Sequence, residues 1–189
     1  MIRIRWHGRG GQGAVTAARI FGMAVAKYGN SFAQSFPAFG VERRGAPVLA
    51  FTKIDQAPIL DRSHILEPDI VVVLDAGLLS NVDVTSGLRE RGLILINSRE
   101  IPDVLANIGL NVIAIDATKI ALEVLGRAIT NTAMVGALGA ITGLASLQAI
   151  EKAVSKAVPP KVVDKNIQVV DIAYHEAISA RAKEETVHD

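Results

Sequence analysis

The chain has 189 residues, half of them hydrophobic, which suffices for one domain with a sizeable core. Its 20 basic and 19 acidic residues give a net charge of +1, which gives no support to a nucleic-acid-binding or membrane-binding surface. The absence of cysteine excludes disulfides, thiolate nucleophiles and cysteine-ligated clusters from this chain. A strand pattern, not a signal peptide, begins the sequence, and no apolar run reaches membrane-spanning length, so we expect a cytoplasmic protein.

The first half of the chain predicts mainly strands. A strand over Ile2–Trp6 precedes a helix over Ala14–Tyr28, whose apolar residues recur at helical spacing. A short extended segment and a strand of alternating and β-branched residues follow, at Phe32–Phe36 and Val48–Ile54. Three continuous apolar runs are typical of strands buried on both faces: Ile70–Leu74, Leu93–Ile96 and Val112–Ile115.

Helical patterns occupy most of the rest. Short ones are predicted near residues 77–90 and 101–107, and four longer ones cover about Ala117–Leu125, Thr132–Leu144, Leu147–Ala157 and Val163–Lys183. This alternation predicts an α/β fold, a three-layer, Rossmann-like open sheet that is mostly parallel and has helices on both faces. We expect residues 1–183 to form a single domain and residues 184–189 to form a frayed tail.

A glycine-rich loop follows the first predicted strand, with the sequence Gly8-Arg9-Gly10-Gly11-Gln12-Gly13. Its glycines allow a sharp turn and close approach to another backbone or an anion, next to free N–H groups at a helix start. The spacing fits G-x-G-x-x-G, but residues 30–41 contain no acidic residue to bind the ribose of NAD, so a dinucleotide site is weakly supported. Two interpretations stay open here: a phosphate or backbone contact, and a tight turn that binds nothing.

The loop before the strand at Val48 carries the adjacent Arg43 and Arg44. An arginine pair can bind phosphate or carboxylate, whereas a salt bridge to Glu42 would only fix the loop. Phe36 and Phe39 would be unusual on a solvent-exposed loop, and they suggest contact with another protein surface.

Polar residues end the three buried runs: Asp75, Asn97-Ser98 and Asp116. The carboxyl ends of parallel strands meet at one edge of a sheet, where ligands collect, but capping of the next helix is the preferred interpretation of Asp75, Ser98 and Asp116 taken singly.

The helix predicted from Thr132 is rich in small residues, which favours close packing within the fold or with a partner. No serine–histidine–aspartate set, paired carboxylates or metal-ligand spacing can be recognised, so we predict neither catalytic residues nor a metal site in this chain.

Together these segments resemble the gamma subunit of 2-oxoacid:ferredoxin oxidoreductases, especially the pyruvate and 2-ketoisovalerate types. They occur in family order over nearly the whole chain, and Val41 departs from a proline expected in many relatives. The matching segments are Gly8–Ala18, Gln34–Pro37, Phe39–Pro47, Pro68–Asp75, Asn97-Ser98, Ala117–Ala121 and Asn131–Ala137.

The resemblance implies a subunit of a complex that converts a 2-oxoacid, coenzyme A and oxidised ferredoxin into acyl-CoA, carbon dioxide and reduced ferredoxin. Thiamine diphosphate and [4Fe-4S] clusters would be bound by the alpha, beta and delta subunits. This chain would bind none of them alone and would contact ferredoxin only indirectly. We also expect the isolated chain to be inactive and to self-associate through an apolar patch at Phe32, Phe36 and Phe39.

Two other functions stay open from the residues: a free-standing nucleotide-binding oxidoreductase and a ligand-free assembly module. For the resembled complex, we hypothesise that the glycine loop and the arginine loop face one sheet edge and contact a phosphate of coenzyme A. The candidate cofactor-binding residues are Gly8, Arg9, Gly10, Gly11, Gln12, Gly13, Arg43 and Arg44.

Overall fold

The computed structural model of the protein describes residues 1–38, 43–106 and 109–185. A six-stranded sheet lies at its centre, in the order β2-β3-β1-β4-β5-β6. The strand β3 runs antiparallel to both β1 and β2, whereas β1, β4, β5 and β6 are parallel. The strands are β1 (Ile2–Arg9), β2 (Phe32–Pro37), β3 (Pro47–Asp55), β4 (Ile70–Val73), β5 (Leu93–Asn97) and β6 (Asn111–Ile115). The predicted α/β class with a mostly parallel open sheet is confirmed.

The helices are α1 (Ala14–Tyr28), α2 (Asp103–Ala106), α3 (Ala117–Leu125), α4 (Asn131–Thr142), α5 (Leu147–Ala157) and α6 (Val163–Glu185), with 3-10 turns at Ala76–Ser80 and Pro160–Val162. The sequence predicts the bounds of α1, α3 and α5 correctly. Residues 186–189 of the predicted tail lie outside the described residues. No helix in the described part of the chain combines the length and the apolar character needed to cross a membrane.

One face of the sheet carries nearly all of the helical packing. The helices α1, α3, α4, α5 and α6 cover apolar side chains of this face, including Ile4 and Trp6 of β1 and Leu95 of β5. The ring of Trp6 meets that of Phe21 edge-on at 6.0 Å, and its indole N–H donates to Thr52 Oγ1 at 3.0 Å. The main core therefore lies between the sheet and a layer of helices.

The other face differs from the prediction. The helix expected near residues 77–90 is reduced to the 3-10 turn at Ala76–Ser80, and the one expected near 101–107 to the single turn of α2. The Asp83 carboxylate accepts the Thr85 N–H and hydroxyl hydrogen bonds, which forms a local turn instead of a helix. Between these turns, Val84 and Leu105 insert against β4 and β5 to form a small second core.

The small residues of α4 allow the close packing that the sequence predicts. A Cβ atom on Gly136 would lie 2.6 Å from the carbonyl oxygen of Val170 in α6. That distance is shorter than any ordinary van der Waals contact, so the helix pair requires glycine there. The partner is another helix of the same chain.

Three basic side chains, those of Arg5, His7 and Lys53, are buried on the second face of the sheet. Arg5 is 7% exposed, and its guanidinium donates to the carbonyl oxygens of Val84 and Ser86 at 3.0 and 2.6 Å. It also donates to Nε2 of His7 at 3.0 Å. Burial, with the adjacent Arg5 cation, lowers the pKa of His7 to about 4. This histidine therefore serves as a neutral acceptor for the arginine.

Lys53 is the other buried cation, and it holds residues 56–69, which we call the strap, against the antiparallel half of the sheet. Its side chain is 1% exposed, whereas that of Asp61 in the strap is 59% exposed. Its Nζ donates to Asp61 Oδ2 at 2.5 Å and to Ser63 Oγ at 3.3 Å. The Lys53 hydrogen bond, with those from Ser63, holds the pKa of Asp61 well below its usual value.

Two phenylalanines of the expected apolar patch, Phe32 and Phe36, lie in the strand β2 and not in a loop. Phe36 in β2 packs on Phe51 of β3, with ring centroids 5.5 Å apart, and is partly buried. Phe32 is 48% exposed at the other end of β2, an edge strand of the sheet. Phe39 lies outside the described residues. Self-association therefore stays a prediction, with Phe32 as its exposed aromatic residue.

We predict that Asp61→Asn destabilises the protein more than Lys53→Met. The first change leaves a buried cation without its counter-charge, whereas the second leaves only an exposed carboxylate that water can solvate. Urea unfolding midpoints of both variants would measure the difference, with the exposed Glu90→Gln as a control for the loss of one negative charge. An equal or larger loss in Lys53→Met would contradict the prediction.

Candidate functional site

The segments singled out in the sequence converge at the carboxyl ends of the parallel strands. β1 ends at Arg9, and Asp75 and Asn97 lie at the ends of its parallel neighbours. Because β3 is antiparallel to β1, it begins at this same edge, with Pro47 opposite Arg9. The glycine loop and the arginine loop therefore face one edge of the sheet, as the hypothesis requires.

The backbones of the two loops are in direct contact. The Gly10 N–H donates to the Ala46 carbonyl at 2.8 Å, and the Gly45 N–H donates to the Gly10 carbonyl at 3.0 Å. A Cβ atom on Gly10 would overlap the carbonyl oxygen of Arg43. The glycine at position 10 thus permits an approach between two segments of the same chain.

This arrangement also explains why the dinucleotide interpretation is unsuitable. In a dinucleotide-binding fold the second strand lies beside the first and carries the ribose-binding acid. Here β3 occupies that place beside β1, and β2 lies beyond it at the edge. The chain therefore has the glycine spacing of the dinucleotide motif but not the strand order of a dinucleotide-binding fold.

Asp75 is the centre of a polar cluster beside the glycine loop. Its Oδ2 accepts from Arg9 Nε at 2.9 Å and from Gln12 Nε2 at 2.7 Å, and its Oδ1 caps the next turn by accepting from the Gly77 N–H at 2.9 Å. Burial by itself raises the pKa of Asp75, but the hydrogen bonds from Gln12, Gly77 and Arg9 outweigh it and hold the pKa below its usual value. The carboxylate is therefore ionised at neutral pH.

The cluster changes the expected role of Arg9. Its charge is paired with Asp75, and its Nη1 donates to the Gly45 carbonyl at 3.3 Å. Gln12 is equally engaged, because its Oε1 accepts from the Arg9 N–H at 2.7 Å. Both side chains hold the loops together, which leaves them less available to an anion than the sequence suggests.

Arg43 and Arg44 differ from Arg9 because both are exposed at the edge. In the part of the chain that the structure describes, no carboxylate lies within 4.0 Å of either guanidinium. Glu42, the alternative salt-bridge partner, lies outside the described residues, so that alternative stays open.

The neighbouring strand ends are occupied by structural contacts. Asp116 accepts from the Lys119 N–H at 2.9 Å and so caps α3, as expected. Asn97 was not assigned a role from the sequence, yet its Nδ2 donates at 2.9 Å to both the Leu74 carbonyl and Thr118 Oγ1. It therefore links the ends of β4 and β5 to the start of α3. Its position at the end of a predicted strand is the feature of the sequence that could have indicated this role.

Two helix N-termini also meet at this edge. Gly13, the N-cap of α1, has φ of 80°, and a Cβ atom there would lie 2.6 Å from Nδ2 of Asn131, the first residue of α4. Neither helix has a side-chain cap or an acidic residue in its first turn. The Thr132 N–H of α4 donates to Asn131 Oδ1 at 2.9 Å, and the other first-turn N–H groups of the two helices provide positive potential at one place.

The family of the chain is identified by its sequence. Residues 3–176 match the sequence model of the family described as pyruvate ferredoxin/flavodoxin oxidoreductase. The chain belongs to this family. The resemblance stated from the glycine loop, the arginine loop and the Asn131 segment is thereby confirmed.

Individual relatives agree over almost their full lengths. The pyruvate synthase subunit PorC of Methanocaldococcus jannaschii is 51% identical over 178 residues, which cover 94% of this chain and 98% of that one. The pyruvate/ketoisovalerate oxidoreductases common subunit gamma of Thermococcus kodakarensis is 47% identical over 182 residues, which cover 94% of this chain and 98% of that subunit. The crystal structure of the pyruvate oxidoreductase subunit PORC from Thermotoga maritima matches with a TM-score of 0.78 and 38% identity. The match covers 92% of this chain and 95% of that one.

The chain is thus a gamma subunit of the 2-oxoacid:ferredoxin oxidoreductase family. It has no cysteine, so it cannot ligate an iron–sulfur cluster through thiolates. Within residues 1–38, 43–106 and 109–185, no group of three or more histidine, aspartate or glutamate side chains is placed to hold a metal ion.

We predict that Asp75→Asn lowers the free energy of unfolding by about 1–2 kcal/mol at pH 7, because charge-assisted hydrogen bonds from Arg9 and Gln12 are lost at a partly exposed site. The folded-state pKa of Asp75 is depressed, so this stabilisation exists above the unfolded pKa of about 3.9 and is lost as pH falls through the folded value.

The measurement is denaturant unfolding of both proteins from pH 7 to pH 2. The difference between them should be constant above about pH 5 and should shrink below about pH 4. Glu100→Gln, an exposed position, controls for the loss of one charge. A difference that grows on acidification would show that the pKa of Asp75 is not depressed.

Proposed function

We propose that this chain acts as the gamma subunit of a complex that oxidises pyruvate or a related 2-oxoacid with coenzyme A and ferredoxin. The observation that carries the proposal is the 51% identity to a pyruvate synthase subunit over 94% of this chain and 98% of that subunit. Thiamine diphosphate and [4Fe-4S] clusters belong to the alpha, beta and delta partners, and ferredoxin meets those partners and not this chain. The cysteine-free composition agrees with this division.

The chain's own part in the reaction is binding and positioning. Among the described residues beside the glycine loop, the polar groups are engaged with one another, as Asp75 is with Arg9 and Gln12, so this cluster provides no free acid or base. The exposed Arg43 and Arg44 are the charges that remain available there. We assign them, with the backbone N–H groups of the glycine loop, to a phosphate of coenzyme A in the assembled complex.

The position of the arginines supports this assignment. The backbone of Arg44 pairs with that of Gly10, so the arginine loop is fixed beside the glycine loop and the α1 N-terminus. Guanidinium groups held there add full charges to the partial charges of the helix end. A carboxylate of a partner subunit would use the same donors, and the experiment below separates the two ligands.

We predict that the purified chain alone does not oxidise 2-oxoacids, because it has neither cluster ligands nor a group of catalytic side chains. The assay combines the chain with pyruvate, coenzyme A, thiamine diphosphate and a viologen dye, and measures dye reduction against a control without protein. The complete complex under the same conditions serves as the positive control. Dye reduction by the chain alone would contradict the division of cofactors among subunits.

We further predict that Arg43→Ala/Arg44→Ala in the reconstituted complex raises the KM for coenzyme A more than tenfold and leaves the KM for the 2-oxoacid nearly unchanged. Each charge-assisted pair with phosphate contributes about 1.5–3 kcal/mol, which corresponds to at least a tenfold effect. Steady-state kinetics with each substrate varied in turn would measure both constants.

Arg91→Ala is the matched control, because Arg91 is exposed before β5, at the opposite edge of the sheet. If the double variant assembles normally and its coenzyme A dependence does not change, the arginines do not bind that cofactor. If instead the double variant fails to assemble, the arginines bind a partner subunit.

A further inference from the structure

The outer edge of β2 carries backbone groups that no other described strand covers. β2 is the last strand on its side of the sheet, so only one of its two edges is paired, with β3. In an antiparallel pair, directly opposite residues alternate between those that exchange hydrogen bonds and those that do not. Residues of the second kind point their backbone groups away from β3, and the register decides which residues these are.

The register leaves the backbone of Ala33 and Ser35 pointing outward. One residue beyond β2, the Ala38 N–H donates to the opposite Leu49 carbonyl at 2.9 Å, so this pair is a bonded one. Counting back in steps of two, alternate residues of β2 bond to β3, and the residues between them face outward: Ala33, Ser35 and Pro37. Proline has no N–H, so it suits such a position. In the described ranges, the N–H and carbonyl groups of Ala33 and Ser35 have no hydrogen-bond partner.

The strap crosses β2 and adds apolar surface beside the free edge. The Gln56 side chain donates at 2.8 Å to the serine hydroxyl just before β2, and the Gln34 side chain of β2 donates at 2.8 Å to the Asp61 carbonyl. Between these two attachments lie Phe32, which is 48% exposed, and Leu60, which is 91% exposed. A segment laid along β2 would therefore cover unpaired backbone and apolar side chains together.

The strand itself does little to prevent such pairing. Proteins usually protect a free strand edge with charged side chains, bulges or a covering segment, because an open edge pairs with other chains. The sequence of β2 is Phe-Ala-Gln-Ser-Phe-Pro, which contains no charge and has its proline at the very end. The edge is thus open over Ala33 and Ser35.

Two arginines flank this edge, one on each face of the sheet. Arg62 lies in the strap, and its Nε donates to the Gln34 side chain at 3.2 Å. Arg19 is exposed on α1, which covers the other face, and it follows Ala18, whose carbonyl accepts from Ser35 Oγ at 2.8 Å. Among the described residues, no carboxylate lies within 4.0 Å of either guanidinium. The charge beside the edge therefore favours an acidic partner.

We propose that the outer edge of β2 binds an extended, acidic segment of a partner subunit, which adds a strand to the sheet. The backbone of the segment pairs with Ala33 and Ser35. Neighbouring residues of a strand point to opposite faces, so two consecutive carboxylates in the segment reach Arg19 and Arg62. This inference rests on the proposed function, because the complex supplies the partner.

A second copy of this chain fits the edge less well. The two-fold register that uses both outward residues places Ala33 of one copy opposite Ser35 of the other, and its axis passes through Gln34. Because Arg62 contacts Gln34, the Arg62 side chains of both copies would meet at this axis. Like charges in that position are unfavourable.

The test compares amide hydrogen exchange in the free chain and in the assembled complex, resolved to single residues by mass spectrometry with electron-transfer fragmentation. The amides of Ala33 and Ser35 should exchange at least tenfold more slowly in the complex. Those of Gln34 and Phe36 point to β3 and should exchange slowly in both states, which provides an internal control. Equal exchange of Ala33 and Ser35 in the two states would overturn the proposal. Protection in the free chain that rises with protein concentration would also overturn it, because the occupant would then be a second copy.

Charge reversal tests the acidic character of the segment. Arg62→Glu and Arg19→Glu should each weaken binding of the chain to the remaining subunits at least tenfold, measured by titration of the fluorescently labelled chain. Arg62→Lys alters the contact with Gln34 but keeps the charge, so it should retain most of the affinity. Arg91→Glu is the control, because Arg91 is exposed before β5, which three strands separate from β2. Unchanged binding in both charge reversals would show that the segment is not acidic and that the proposal is wrong.

Failure of this inference differs from failure of the proposed function. A complex that assembles and oxidises a 2-oxoacid, while the amides of Ala33 and Ser35 exchange as in the free chain, disproves the strand addition and retains the proposed function. A chain that does not join the other subunits at all disproves the proposed function, and the source of the segment with it.

Discussion

The carboxyl edge of the sheet depends on backbone contacts that exclude a Cβ atom. At Gly10 the arginine loop approaches to hydrogen-bonding distance, and at Gly13 the side-chain amide of Asn131, the first residue of α4, leaves no room for a Cβ atom. Without these two contacts, β3 could not begin beside the end of β1, and α4 could not start against the N-terminus of α1. The glycines therefore join parts of the chain that are distant in sequence.

This role separates the loop from the dinucleotide motif that it matches in spacing. A dinucleotide loop leaves its glycines open for pyrophosphate, whereas here Gly10 is covered by the arginine loop. Arg9 and Gln12 are occupied in the same way by Asp75. Among the described residues, the polar groups beside the glycine loop thus pair with one another, and the exposed Arg43 and Arg44 lie outside this cluster.

Much of the fold follows from local sequence patterns. The bounds of α1, α3 and α5 are predicted correctly because apolar residues recur at helical spacing between clear end signals, such as Asp116 before α3. The helix expected near residues 77–90 is wrong because Asp83 forms a local turn and Val84 is drawn into the second core. The convergence of the two loops is hypothesised from the sequence, but the antiparallel direction of β3 that produces it is not predicted there. The pairing of Arg9 with Asp75 joins residues that are 66 positions apart, so it depends on a tertiary contact that one sequence does not reveal.

The buried Lys53 has a consequence for the order in which the chain folds. Its counter-charge comes from the strap, which follows β3 in sequence and forms no regular element. While the strap is undocked, the ammonium group must remain hydrated, so water has to stay between that part of β3 and any covering segment. The part of the antiparallel half that surrounds Lys53 can therefore become dry only together with the docking of the strap, which brings the carboxylate of Asp61.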